Sequence, residues 1–77
     1  MKLIKYNQLN NYLFELEFEN GAKYKTDIAS LIDKKVNTDE LKTAHIDKDW
    51  GCLEFKGGLV DIEPVTLFKY VKQHPCE

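Results

Sequence analysis

The 77-residue sequence contains no arginine; all eleven of its basic residues are lysine. Arginine supplies the planar fork that grips phosphates and guanine edges with two hydrogen bonds. Its absence, with lysines scattered from Lys2 to Lys72 instead of clustered, disfavours a nucleic-acid partner. No stretch approaches the ~18–20 apolar residues that a membrane-spanning helix needs. Lys2 and Lys5 interrupt the first residues too early for a secretory hydrophobic segment. A cytoplasmic chain with no membrane partner is therefore expected, and there Cys52 and Cys76 would stay reduced as free thiols. Glycine is sparse, and Gly57-Gly58 leads into a strand-like run with no Lys-Ser or Lys-Thr, so no phosphate-binding loop is present. The only serine, Ser30, falls in a predicted helix without a nucleophile elbow around it.

What is present is ordinary globular composition, 43% apolar and 31% charged with a net charge of −2. A chain of this length makes one domain, residues 1–77, and buries roughly 60% of the surface its unfolded form exposes. Its thin core must rest on a few large side chains. The clearest pattern is Phe14-Glu15-Leu16-Glu17-Phe18, where apolar and acidic residues alternate as in a strand with one buried face. Asn20-Gly21 follows and offers the positive φ that tight hairpins need. The return strand, residues 22–26, sets Lys23 and Lys25 against Glu15 and Glu17, and such cross-strand pairs contribute roughly 0.2–1 kcal/mol each.

Around this hairpin, residues 3–6 read as a further strand and the polar run 7–11 as a loop. Asp27 can cap a short helix reaching Lys34, its carboxylate accepting N–H groups that a first turn leaves unpaired. Ile28, Leu31 and Ile32 lie at helical spacing and should face the sheet. Residues 35–39 read as a polar loop, and 38–43 as a brief helical turn. Residues 44–47, 52–56 and 59–62 read as three short strands, separated by the turn Lys48-Asp49-Trp50-Gly51 and the reversal Gly57-Gly58. Asp61 is a second candidate cap, and Glu63-Pro64 opens a last helix, with proline at the position where its missing N–H costs nothing. Val65, Leu67, Phe68 and Val71 give that helix an apolar stripe, and Pro75 ends it. The fold expected is α+β: a mainly antiparallel sheet of five or six short strands with a short helix and a C-terminal helix packed on it.

Two stretches have a familiar look: residues 12–21 with Asp27-Ile28-Ala29-Ser30-Leu31-Ile32, and Asp47 to Gly51 with Phe55 to Gly58, Asp61-Ile62-Glu63-Pro64 and Thr66-Leu67-Phe68. Together they resemble the bacterial family numbered 2442 among the domains of unknown function, over about Leu3 to Tyr70. The chain departs from that pattern at Phe55, where the family usually has Trp, in an extra residue between Gly58 and Asp61, and in a shorter segment between Ile32 and Ala44. The resemblance implies a compact α+β domain, encoded beside another small protein in an arrangement like a toxin–antitoxin pair. It implies no catalytic residue.

The residues themselves offer little chemistry. His45, Cys52, His74 and Cys76 are the only soft-ligand candidates, and their spacing matches no zinc pattern, so neither a metal nor a cofactor is expected. A nucleophilic site would pair Cys52 with His45, with Asp47 or Asp49 as orienter, but nothing marks an oxyanion hole. Glu15, Glu17 and Glu54 read as solvated strand carboxylates with no reason for a shifted pKa. Tyr6, Tyr12 and Trp50 remain, together with Phe68 and Tyr70, more aromatics than so thin a core absorbs. Tyr and Trp mark binding hot spots; the competing reading makes Trp50 a lid over one end of the core, with tyrosine hydroxyls in water. The expected function is a small protein-interaction module, without enzyme activity, that docks a protein partner or itself, as the antitoxin-like half of a two-gene pair. The alternative is a small enzyme or ligand-binding protein centred on His45 and Cys52.

Overall fold

The computed structural model describes Met1–His74 and is α+β. Pro75 as a helix stop, and Cys76 as a free thiol or soft-ligand candidate, lie outside the described residues. Three strands form the first sheet: β1 (Leu3–Asn10), β2 (Leu13–Phe18) and β3 (Lys23–Asp27), in the order β1-β2-β3 and antiparallel throughout. The alternation in β2 places Phe14, Leu16 and Phe18 in the core with no exposed surface. Glu15 stands opposite Lys25 and Glu17 opposite Lys23, the register that the charge pattern predicts. At the β2–β3 turn Gly21 takes a φ of +86° and its N–H bonds to the Phe18 carbonyl at 2.9 Å. Gly21 alone supplies the left-handed residue; the Asn20 side chain instead accepts the Ala22 N–H at 3.0 Å.

The expected loop at residues 7–11 is a correction. Asn7 to Asn10 continue β1, and the chain reverses at Asn11, whose φ of +49° asparagine tolerates better than most residues. The reading went astray because this end of β1 packs almost nothing inward, so its polar side chains hide the strand. Register shifts between Leu3 and Lys5 and between Gln8 and Asn10 leave Ile4 and Leu9 exposed.

After β3, Ile28 takes the N-cap position of α1 (Ala29–Ile32), and Asp27, expected there, stands one residue earlier, its Oδ1 accepting the Ala29 N–H at 2.8 Å; the helix is a single turn ending before Lys34. Ile28 and Ile32 are buried against the sheet. The segment expected as a polar loop carries Val36, which is fully buried. A 3₁₀ turn, Thr38–Thr43, follows with a reciprocal cap: the Asn37 side chain accepts the Glu40 N–H, and Glu40 accepts the Asn37 N–H.

The expected single sheet of five or six strands is also corrected. The remaining strands, β4 (His45–Ile46), β5 (Leu53–Phe55) and β6 (Val60–Ile62), form a second antiparallel sheet in the order β4-β5-β6. These strands of two and three residues do not join the first sheet's ladder; they lean on it mainly through side chains. Phe14 of β2 meets Phe55 of β5 edge to face at 6.3 Å, and the Tyr6 hydroxyl donates to the Ala44 carbonyl at 2.7 Å. One backbone bond crosses at the seam, from Leu3 N–H to the Gly51 carbonyl at 3.1 Å. There is no room for a side chain here: a Cβ on Gly51, at φ +73°, would lie 2.4 Å from the Lys2 Cβ.

Helix α2 (Pro64–Gln73) begins with proline in its first turn and covers the core with Leu67 and Val71. Val65, expected in that stripe, is half exposed, because the buried row runs Pro64, Leu67, Val71. Asp61, expected as a cap, lies inside β6; Glu63 takes the N-cap position without a side-chain capping bond. Phe68 packs edge-on with Phe18 and Tyr24, and the Thr26 hydroxyl, fully buried, donates to the His74 carbonyl at 2.6 Å. Among the described residues no helix is long and apolar enough to cross a membrane.

Candidate functional site

The aromatic residues singled out from the sequence separate into two groups. Tyr6 and Tyr12 are half-buried, and their hydroxyls donate to the backbone carbonyls of Ala44 and Val36. Tyr70 does the same with Asp27, at 2.9 Å. Each hydroxyl has a backbone partner: Tyr6 ties β1 to the residue before β4, Tyr12 ties the β1–β2 turn to the loop at Val36, and Tyr70 ties α2 to the end of β3. Trp50 is different. It is 74% exposed, so it lids nothing.

Local chemistry holds Trp50 out. Asp47 anchors its turn at three points: its carbonyl accepts the Gly51 N–H at 2.7 Å, its N–H donates to the Cys52 carbonyl at 2.9 Å, and its carboxylate accepts the Asp49 N–H at 3.3 Å. Gly51 supplies the left-handed backbone that closes the turn. The indole thus sits on a fixed corner beside the outer face of the second sheet, together with the half-exposed Val65 at the start of α2.

Between them lies an open depression of about 680 Å³ with Cys52 on its floor. The register of the second sheet explains its character. Leu53, Phe55 and Ile62 point inward, so Cys52, Glu54 and Asp61 point outward. His45 is opposite Glu54, and Glu54 in turn is opposite Asp61, a row across all three strands. Asp47, Asp49 and Glu63 join the same depression, giving five carboxylates against Lys2 and the chain's N-terminal end. Sequence reading missed this cluster because its members come from separate strands and turns. The pairing of β5 with β6, once known, puts Glu54 beside Asp61 at once.

The alternative centre on His45 and Cys52 is not assembled for nucleophilic chemistry. His45 Nε2 lies 2.7 Å from Glu54 Oε1 and Nδ1 lies 3.3 Å from the Thr43 carbonyl, so neither nitrogen serves the thiol. Burial pushes the Cys52 pKa up, and the negative charges of Asp61, Asp47, Glu54 and Glu63 push it further. An activated cysteine needs the opposite surroundings. Among the described residues, no three His, Cys, Asp or Glu side chains converge as a metal site would require.

Comparison of the chain with family models, with curated proteins and with solved structures gives no match in any of the three.

Proposed function

We propose that this chain is a small cytoplasmic protein-interaction module, and that it docks its partner through the Trp50 face. The observation that carries the reading is the exposure of Trp50. Placing a large apolar ring in water on a braced turn adds nothing to the core. Tryptophan in that setting is the residue type that most often dominates an interface. The half-exposed Val65 and the adjoining depression enlarge the surface beyond a single ring. The resemblance noted from the sequence supports placing the module as the antitoxin-like half of a two-gene pair.

The test compares tagged wild-type chain with Trp50→Ala in affinity capture from native-host lysate, after circular dichroism has shown both to be folded. A stoichiometric protein partner held by the wild type and lost from the variant is expected, since truncating a hot spot weakens binding by about 2 kcal/mol or more. Equal recovery of the partner by both proteins would remove Trp50 from the interface and refute the reading.

A further inference from the structure

The two sheets obey opposite rules on their outer faces. In the first, the rows across the strands read Lys5–Glu17–Lys23 and Asn7–Glu15–Lys25, so every carboxylate sits between neutralising or neutral neighbours. In the second, the row reads His45–Glu54–Asp61, with two carboxylates directly opposite each other. Like charges in that position destabilise a sheet. Asp47, Asp49 and Glu63 add to the excess around the same depression, whose local negative balance exceeds the −2 of the whole chain. Local rules of this kind are broken mainly at functional sites.

We infer that the segment docked on the Trp50 face is a basic stretch of a protein partner, rich in lysine or arginine and carrying an apolar side chain against Trp50. This inference rests on the docking reading above and specifies its partner chemistry. Charge complementarity carries it: five carboxylates face only Lys2 and the N-terminal end there, and Glu54 has only His45 beside it, so a basic segment supplies the missing counter-charge while its apolar residue covers Trp50 and Val65. Other occupants meet opposition. A second copy presenting the same face would set carboxylates against carboxylates, and anionic lipid or nucleic acid would be repelled.

The test is a calorimetric titration of the full chain with a synthetic octapeptide of lysine and leucine, Lys-Lys-Leu-Lys-Lys-Leu-Lys-Lys, and with its glutamate-for-lysine counterpart. The lysine peptide is expected to bind with a Kd below about 1 mM in about 50 mM salt and to weaken severalfold in about 300 mM salt. Asp61→Asn with Glu63→Gln should weaken it about fivefold. Removing the same number of charges from the first sheet, by Glu15→Gln with Glu17→Gln, should change it less than about twofold. No binding by the lysine peptide, equal binding by the glutamate peptide, or equal losses from the two double variants would each overturn the inference. The same two double variants, carried through the lysate capture, separate its failure from that of the docking reading. A partner lost with Trp50→Ala but kept by the Asp61/Glu63 variant leaves docking standing and removes the basic segment. A partner kept by Trp50→Ala removes both. Sedimentation showing self-association that Trp50→Ala abolishes would assign the face to a second copy and overturn the basic segment.

Discussion

The first and second sheets have the same strand count and the same antiparallel order, yet they are held together differently. Strands of eight, six and five residues give the first sheet continuous ladders and self-neutralising charge rows. Strands of two and three residues leave the second sheet dependent on what it leans against: the Phe14–Phe55 contact, the Tyr6 hydroxyl and the Gly51 seam. The lesson is that balanced charge and cohesion need not sit on the same face: the first sheet has both, the second draws its cohesion from its inner side chains. A sheet whose cohesion comes from its inner face can carry an unbalanced outer one.

That contrast can be broken or sharpened by substitution. The largest effect is expected from Phe55→Ala, which removes the aromatic link between the sheets and should cost about 3–5 kcal/mol, enough to unfold much of a domain this small. Urea denaturation followed by far-ultraviolet circular dichroism and by amide exchange checks it. Persistence of a protected first sheet after the second has melted would show two separable units and break the comparison.

Gly51→Ala comes next. The new Cβ would collide with Lys2 and the backbone would hold a strained φ, at a cost of about 1–3 kcal/mol in unfolding free energy, read from the shift of the urea midpoint. Tyr6→Phe should cost about 1 kcal/mol, because the Ala44 carbonyl loses its donor. Trp50→Ala should change stability by less than about 0.5 kcal/mol, which would sharpen the contrast between a bracing residue and an exposed one.

The smallest effect is a pH dependence. The Asn37 N–H bond, reinforced by Lys56, holds the Glu40 carboxyl below its ordinary pKa. A group depressed in the folded state stabilises fully above its unfolded pKa, and that contribution disappears as pH falls through the folded value. Glu40→Gln should therefore flatten part of the acid dependence of the urea midpoint; an unchanged acid slope would remove Glu40 from it.

Much of this structure was legible in the sequence, for identifiable reasons. Strict alternation in β2, the turn at Gly21, the Asp27 bond to Ala29 and the proline opening of α2 are local signals, and each lies where local chemistry places it. The split into two sheets was not legible, because short strands carry no signature of which neighbour they join. Nor was the end of β1, whose Asn and Gln residues give no period. At the site, Trp50 stood out by residue type alone, but Tyr6 and Tyr12 share that type and are occupied in bracing loops. The acidic row was hidden until β5 and β6 were paired, and its chemistry belongs to register.

The tyrosine hydroxyl bonds also bear on the order of events in folding. Both sheets are meanders whose ladders join consecutive strands, so each closes over short loops. The bonds from Tyr6, Tyr12 and Tyr70 span 38, 24 and 43 residues, and the Thr26–His74 bond spans 48. Contacts so distant along the chain carry the larger loop-closure entropy and form once the meanders exist. They act as latches fastened after the barrier has been crossed, so the loss in Tyr6→Phe should appear as faster unfolding with the folding rate nearly unchanged.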